Sequence, residues 1–331
     1  MRNTSTCATT VGTASAIPCL RDLPLAEIHH AINVTGVGPW SPVIDGDFVV
    51  DYPSSQLKSG RFARVPILIG ANSDEGTSFG KAMGPGGRGV HTDDEFAASI
   101  RKYLSPDLTT SGSETSKTVE QVIDELMAIY PNIQSIGVPS LSSWPEVVTP
   151  STTGKGIDID TIGLQYRRTA SLYGDLRMHY FRRLSNIAWH DAGLKSWSYR
   201  FDVTVNGIPD HIAATHFQEV AFVFNNLNGD GYATNPFATK PDSYRRLSVT
   251  MSSAWINFIT GLNPNGSGSD NKKGNGNGNT SSWWPAYDTN AAGGVGQNMV
   301  WRVDGSYVEF DDYRAPGIKW LADHSLDILG N

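Results

Sequence analysis

The pattern of apolar positions predicts two β-strands separated by a long, largely helical segment. Residues 65–70, VPILIG, form a short continuous apolar run that is typical of a strand buried on both faces. Residues 197–203, WSYRFDV, alternate apolar and polar side chains with the period of two that a half-buried strand shows. Because parallel strands need a long crossover connection, we expect these two strands to be parallel neighbours in one sheet.

Helical spacing of apolar residues fills much of the remaining chain. It is clearest in residues 119–130, which are followed by the helix-breaking Pro131. Residues 161–189 form a long helical stretch, continuous or interrupted. Residues 242–260 predict a further helix. Residues 261–282 are rich in Gly, Asn and Ser, which predicts a flexible linker. The order of strands and helices indicates an α/β fold.

Composition and charge narrow the class of protein. The chain has 331 residues, enough for one large domain or two small ones with a sizeable core. Its hydrophobic fraction of 39% is that of an ordinary globular protein. The net charge of −7 argues against nucleic acid or an anionic membrane as partner, and no apolar run is long enough to span a bilayer. We therefore expect a soluble protein with no nucleic-acid partner and no stable membrane insertion.

The two cysteines, Cys7 and Cys19, lie close together near the start of the chain. They could form a local disulfide, remain two unrelated thiols or supply half of a metal site. The metal site is disfavoured, because the chain has no further thiol and no histidine at zinc-finger spacing. Asn-x-Ser/Thr triplets offer four possible glycosylation sites, at Asn3, Asn33, Asn265 and Asn279. Cysteines and triplets together favour a secreted protein.

The first residues do not support secretion by themselves. They lack the apolar segment of a signal peptide. We therefore expect the natural protein to begin upstream of Met1, with a signal peptide in that upstream part.

A histidine follows the second strand, where an α/β enzyme would hold a general base. The loop after the strand leads to His216, and Thr215 and Gln218 fit a capping box. A helix that started there would favour the neutral imidazole through its dipole. On the local sequence alone, a histidine that only caps a helix is the simpler interpretation.

The segment HFQEVAFVF, residues 216–224, resembles the histidine segment of the type-B carboxylesterase and lipase family, the cholinesterase-like branch of the α/β-hydrolases. Members carry a glutamate three residues after the histidine, here Glu219, and usually a glycine directly after it, where this chain has Phe217. CATTVGTASAIPCLRDLP, WINFITGLNPN, WPAYD and VEFDDYR resemble other segments of the family, in order. The resemblance implies an α/β-hydrolase fold and a disulfide between Cys7 and Cys19.

The turn ANSDEG after the first strand contains a candidate acid. Asp74 and Glu75 could be solvated turn residues, although α/β folds place catalytic groups at such strand ends. The resemblance implies that Glu75 is the triad acid, since the family's acid is the glutamate of an Asn-x-Asp-Glu-Gly turn. His216 would then take the proton of a serine nucleophile and pass it to the leaving alcohol.

Motifs for other chemistry are weak. GTSFG, residues 76–80, matches the G-x-S-x-G elbow, but an elbow holds its serine on a sharp turn between a strand and a helix, and the apolar run ends at Gly70. Residues 84–89 match G-x-G-x-x-G without a strand that leads directly into them. Residues 226–237 begin like a calcium-binding loop but end in Phe237, not glutamate. We expect no cofactor and no metal.

Family members place the nucleophile and the oxyanion-hole glycines upstream of the cysteine loop, and the triad order is serine, acid, histidine. Residues 1–331 are therefore expected to be the C-terminal part of one α/β-hydrolase domain. They would supply Glu75 and His216 to a serine hydrolase of small-molecule or lipid esters, and be inactive alone. Two alternatives stay open. One is a non-catalytic cholinesterase-like binding module, which would not require Glu75 and His216 together, and the other is a small hydrolase that uses Ser78.

Overall fold

The computed structural model describes residues 7–10, 12–33, 42–105, 117–152, 156–266, 283–291 and 293–330. The chain divides into two compact units, Met1–Asp51 and Tyr52–Asn331. Asn3, Asn279 and residues 267–282 of the predicted linker lie outside the described residues.

The first unit contains two short helices, α1 (Ala16–Arg21) and α2 (Leu25–Asn33). Cys7 and Cys19 form a disulfide, with their Cα atoms 5.8 Å apart. The disulfide implied by the resemblance is thus confirmed. Asn33 ends α2 with an exposed side chain.

The second unit is built on a sheet with the strand order β1 (Ile67–Asn72), β2 (Ser196–Phe201), β3 (Gln297–Trp301) and β4 (Tyr307–Phe310). β1–β2 and β2–β3 are parallel pairs, and β3–β4 is antiparallel. Ile67 pairs with Ser196 and Asn72 with Phe201, so the predicted parallel neighbours are confirmed. Among the described residues, β1 pairs with β2 alone and forms one edge of the sheet.

Helices surround this sheet, as expected from the alternating pattern of the sequence. Their bounds are α3 (Pro53–Lys58), α4 (Gly76–Phe79), α5 (Asp93–Arg101), α6 (Val119–Ile129), α7 (Ile159–Ile162), α8 (Tyr166–Gly174), α9 (Tyr180–Asp191), α10 (Val220–Val223), α11 (Asp242–Gly261) and α12 (Ala315–Asp323). The long helical stretch is interrupted, because a π-helical turn, Asp175–His179, joins α8 to α9. No helix in the described part of the chain has the length and apolar character needed to cross a membrane.

The two faces of β2 have different environments, as its alternation predicts. Trp197, Tyr199 and Phe201 pack into an aromatic core that includes Trp284 and residues of α11. Ser198 points the other way and accepts a hydrogen bond from Arg182 of α9. The sheet is therefore covered by an apolar layer on one face and anchored by polar contacts on the other.

These polar contacts converge on Asp311, which follows β4. Arg182 and Arg183 donate to its carboxylate at 2.7–2.9 Å, and the Tyr287 hydroxyl donates at 2.8 Å. Burial alone would raise the pKa of Asp311, but the two guanidinium groups more than offset it and hold the pKa well below its usual range. Unpaired buried charges are costly, so this compensated cluster fixes α9 against β3 and β4.

One predicted glycosylation site needs correction. Asn265 is 5% exposed, its Nδ2 donates to the carbonyl of Trp284 at 2.9 Å, and its Oδ1 accepts from the Trp284 N–H at 3.0 Å. A glycan on Nδ2 would break this contact in the folded chain. Asn265 is therefore no longer a candidate acceptor.

Candidate active site

The acid loop leaves the carboxyl end of β1. The strand ends at Asn72, and after a short turn α4 starts at Gly76, with Glu75 as its N-cap residue. The Glu75 side chain is 1% exposed. Its Oε1 accepts the backbone N–H of Asn72 at 2.8 Å. Because this hydrogen bond fixes Oε1, it also fixes the direction in which the second carboxylate oxygen, Oε2, points.

The histidine loop leaves the carboxyl end of the neighbouring strand β2. Asp74 clamps it to the acid loop, because its N–H donates to the Ala214 carbonyl at 3.0 Å and its Oδ2 accepts the Ala214 N–H, also at 3.0 Å. The Tyr166 hydroxyl donates to the carbonyl of His211 at 2.8 Å. The Thr77 hydroxyl donates to that of Ile212 at 2.9 Å. The contacts of Asp74 and Thr77 thus join the two loops directly, and Tyr166 ties the histidine loop to α8.

Glu75 and His216 meet between these two loops. Nδ1 of His216 lies 2.7 Å from Oε2 of Glu75. The carboxylate favours the tautomer with the proton on Nδ1, so that Nε2 is the nitrogen left for chemistry. No described residue hydrogen-bonds to Nε2, and the His216 side chain is 39% exposed. The hydrogen bond from His216 to Glu75 raises the pKa of the imidazole.

The predicted capping box is wrong. The helix α10 begins at Val220, beyond His216, and the Thr215 hydroxyl contacts the Thr77 and Ser78 hydroxyls, each at 2.7 Å. His216 therefore does not sit at a helix start. The charge of the imidazole is governed by Glu75 and not by a helix dipole.

Asp74 and Glu75 are not solvated turn residues. Asp74 is 4% exposed, and burial raises its pKa to about 7. The alternative interpretation of this turn is therefore wrong.

Asn72 is a residue of the site that the sequence analysis did not single out. Its Nδ2 donates to Oε2 of Glu219 at 2.6 Å and to the carbonyl of Thr215 at 2.7 Å, while its backbone holds Glu75. Burial raises the pKa of Glu219. In the sequence, Asn72 is the first position of the Asn-x-Asp-Glu-Gly turn. In the structure it links the acid loop to the histidine loop.

Ser78 lies closer to the end of a strand, as an elbow serine would, than the sequence predicted. Its hydroxyl, however, contacts Thr215 and not His216. β1 continues two residues past Gly70, and Ser78 lies in α4, shortly after the strand. The Ser78 Oγ pairs with the Thr215 hydroxyl at 2.7 Å, and no hydrogen bond joins it to His216. Ser78, the one serine of the GTSFG motif, therefore makes no hydrogen bond to the imidazole.

Two aromatic rings flank His216. The Phe79 ring lies 4.8 Å from the imidazole centroid, and the Phe217 ring lies 6.4 Å from it. Phe217 has a φ of +74° and is 56% exposed. A bulky residue rarely adopts this left-handed conformation, which explains why glycine suits the position.

No group of three or more His, Cys, Asp or Glu side chains suited to a metal ion occurs among residues 7–330 where the structure describes them.

The parallel strands and the helices that surround them form part of an α/β-hydrolase fold. The fold agrees with that of a solved carboxylesterase from Geobacillus stearothermophilus, with a TM-score of 0.55 and 18% identity over 94% of this chain and 52% of that one. The sequence model of the carboxylesterase family matches residues 1–296. The chain belongs to the carboxylesterase family.

Curated relatives are similar over part of their length. Lipase 2 of Geotrichum candidum is 25% identical over 229 residues, which cover 66% of this chain and 35% of the lipase. An inactive carboxylesterase-like protein of Byssochlamys spectabilis is 24% identical over 273 residues, which cover 77% of this chain and 40% of that protein. The chain thus spans less than half the length of these relatives.

Proposed function

We propose that this chain supplies the acid and the base of a serine-type carboxylic ester hydrolase and requires a nucleophile from outside its described residues. The 2.7 Å contact between Glu75 and His216 carries the proposal. A binding surface has no need for a buried carboxylate that fixes the tautomer of an exposed histidine.

In this mechanism Nε2 of His216 takes the proton of the serine hydroxyl as it attacks the ester carbonyl. The imidazolium then returns the proton to the leaving alcohol. Glu75 orients the ring and stabilises its charged form, which agrees with the raised pKa of His216. The oxyanion of the tetrahedral intermediate needs hydrogen-bond donors, which we also assign to protein outside the described residues.

The substrate class is a carboxylic ester of a small molecule or a lipid. Membership of the carboxylesterase family and the likeness to a lipase support it. The Cys7–Cys19 disulfide supports a secreted protein, because disulfides persist in oxidising compartments.

A non-catalytic binding module is the second candidate. The likeness to an inactive carboxylesterase-like protein favours it. It predicts that replacement of His216 leaves the protein's biological effect intact.

The test has two arms. Residues 1–331 alone should hydrolyse p-nitrophenyl butyrate no faster than buffer, and Ser78→Ala should change nothing. Turnover that Ser78→Ala abolishes would establish the small hydrolase instead.

In the second arm, the gene is examined for coding sequence upstream of Met1, and any longer product that it encodes is assayed. This product should hydrolyse the ester, and Glu75→Gln or His216→Gln should each lower kcat by about a thousandfold or more. An upstream sequence without a nucleophile elbow, or a longer product that is inactive, would favour the binding module.

A further inference from the structure

A concave site lies in the larger unit, on elements that do not include Glu75 or His216. It is a cavity of about 350 Å³ between the end of α6, the turn at Ile136, α8 and the start of α12. This volume falls at the lower end of the range of small-ligand sites. Its walls are mainly apolar and include two arginines, and the residues that matter here are Ile129, Pro131, Ile136, Arg168, Arg314 and Pro316.

Arg314 is held in an unusual conformation at this cavity. It precedes α12 with a φ of +46°, in the left-handed region that is strained for a residue other than glycine. Asp175, the first residue of the π-helical turn, holds its guanidinium through Nε at 2.9–3.0 Å and Nη2 at 2.7 Å. The Tyr313 ring packs 4.7 Å from the guanidinium carbon. The group is therefore fixed before any ligand arrives.

One edge of this guanidinium remains open. Asp175 occupies the edge formed by Nε and Nη2, and Nη1 makes no hydrogen bond to a described residue. Arg168 differs, because its Nε, Nη1 and Nη2 all donate to protein acceptors, namely Tyr130, Asp93, Gln165 and Met127. Arg314 can thus offer the Nη1–Nη2 edge, whose two parallel N–H groups match the two oxygens of a carboxylate.

We propose that this cavity binds an aliphatic carboxylic acid of medium chain length. Its carboxylate pairs with the open edge of Arg314, and its tail packs on Ile129, Pro131 and Ile136. A planar carboxylate suits the guanidinium fork, whereas a phosphate dianion would lose more hydration against apolar walls. The carboxylates of Asp175 and Asp93 neutralise the charges of Arg314 and Arg168. The affinity for the ligand therefore comes from directed hydrogen bonds and apolar burial and not from net charge. This inference does not rest on the hydrolase mechanism.

Isothermal titration calorimetry of the full chain with octanoate tests the proposal. We expect saturable binding, with 1-octanol at least tenfold weaker because it cannot accept two parallel hydrogen bonds. Inorganic phosphate at the same concentration should give no heat of binding. Equal affinities for octanoate and octanol would overturn the carboxylate assignment, and absence of saturable octanoate binding would overturn the site.

A matched pair of variants locates the binding. Ile136 lines the cavity and is 60% exposed, whereas Ile133 is 52% exposed and does not line it. Ile136→Asp should weaken octanoate binding about tenfold through like-charge repulsion and loss of apolar contact, and Ile133→Asp should leave it unchanged. Arg314→Lys, which keeps the charge facing Asp175 but removes the fork, should also weaken binding. Equal effects of Ile136→Asp and Ile133→Asp would show that the ligand binds elsewhere.

Discussion

Nδ1 of His216 and Oε2 of Glu75 are 2.7 Å apart, although the two residues are separated by 141 positions in the chain. Each stands on a loop that leaves the carboxyl end of a parallel strand, and Asp74 clamps one loop to the other. The pairing is therefore a product of the sheet and not of local sequence.

Glu75→Gln should lower the pKa of His216, because the hydrogen bond to the carboxylate is the main cause of its raised value. NMR titration of the His216 ring proton measures this directly. Asp288→Asn removes the carboxylate beside His190 and should leave the His216 titration unchanged.

The same pair makes stability depend on pH. A histidine whose pKa is raised by folding contributes stability that is fully present below its unfolded pKa of about 6.5 and is lost as pH rises through the folded value. The difference in free energy of unfolding between the native chain and Glu75→Gln should therefore shrink between pH 6 and pH 9. A pH-independent difference in urea titrations would contradict the pairing.

Asp74→Asn should stabilise the chain at high pH. Burial raises the pKa of Asp74 from 3.8 to about 7, so the fold prefers the protonated carboxyl. Ionisation of the buried carboxyl lowers the free energy of unfolding. This loss is absent below the unfolded pKa of 3.8 and grows with pH until the pH passes about 7. We expect Asp74→Asn to gain about 2 kcal/mol more at pH 8 than at pH 5, measured by urea unfolding. Asp230→Asn, at an exposed position, should show no such difference.

Phe217→Gly should stabilise the chain by about 1 kcal/mol, since glycine adopts a φ of +74° without strain. Phe217 is 56% exposed, so little buried apolar area is lost. Phe224→Gly is the control: Phe224 is 77% exposed but has a φ of −83°, so glycine there should destabilise. Chemical unfolding of both variants measures the contrast. A loss of stability in Phe217→Gly would mean that contacts of the exposed ring outweigh the strain of its backbone.

Cys7→Ser with Cys19→Ser should speed proteolysis within residues 7–33. The disulfide closes a short loop and is worth roughly 3 kcal/mol in the chain-entropy model. Limited trypsin digestion and peptide mapping measure the rates of cleavage after Arg21, with the intact chain under non-reducing conditions as reference. Unchanged rates would show that α1 and α2 do not depend on the bridge.

Much of the fold was readable from the sequence, because β1 is a continuous apolar run, β2 alternates apolar and polar side chains, and the spacing of apolar residues in α11 is helical. The acid and the histidine became candidates through their motifs. The capping box at Thr215 failed because its hydroxyl finds partners on Thr77 and Ser78, more than 130 residues away in the chain. The role of Asn72, the burial of Asn265 and the open edge of Arg314 likewise depend on contacts between distant segments. Local patterns carry no information about such contacts.

The parallel pairing of β1 with β2 has a consequence for biosynthesis. Ile67 and its register partner Ser196 are separated by roughly 130 residues, so β2 leaves the ribosome roughly 6–26 s after β1 at ordinary translation rates. During that interval the apolar run VPILIG has no β2 to pair with. During synthesis β1 therefore has to be shielded from other apolar surfaces until β2 has emerged. Slower translation between the two strands would lengthen the time for which β1 is exposed.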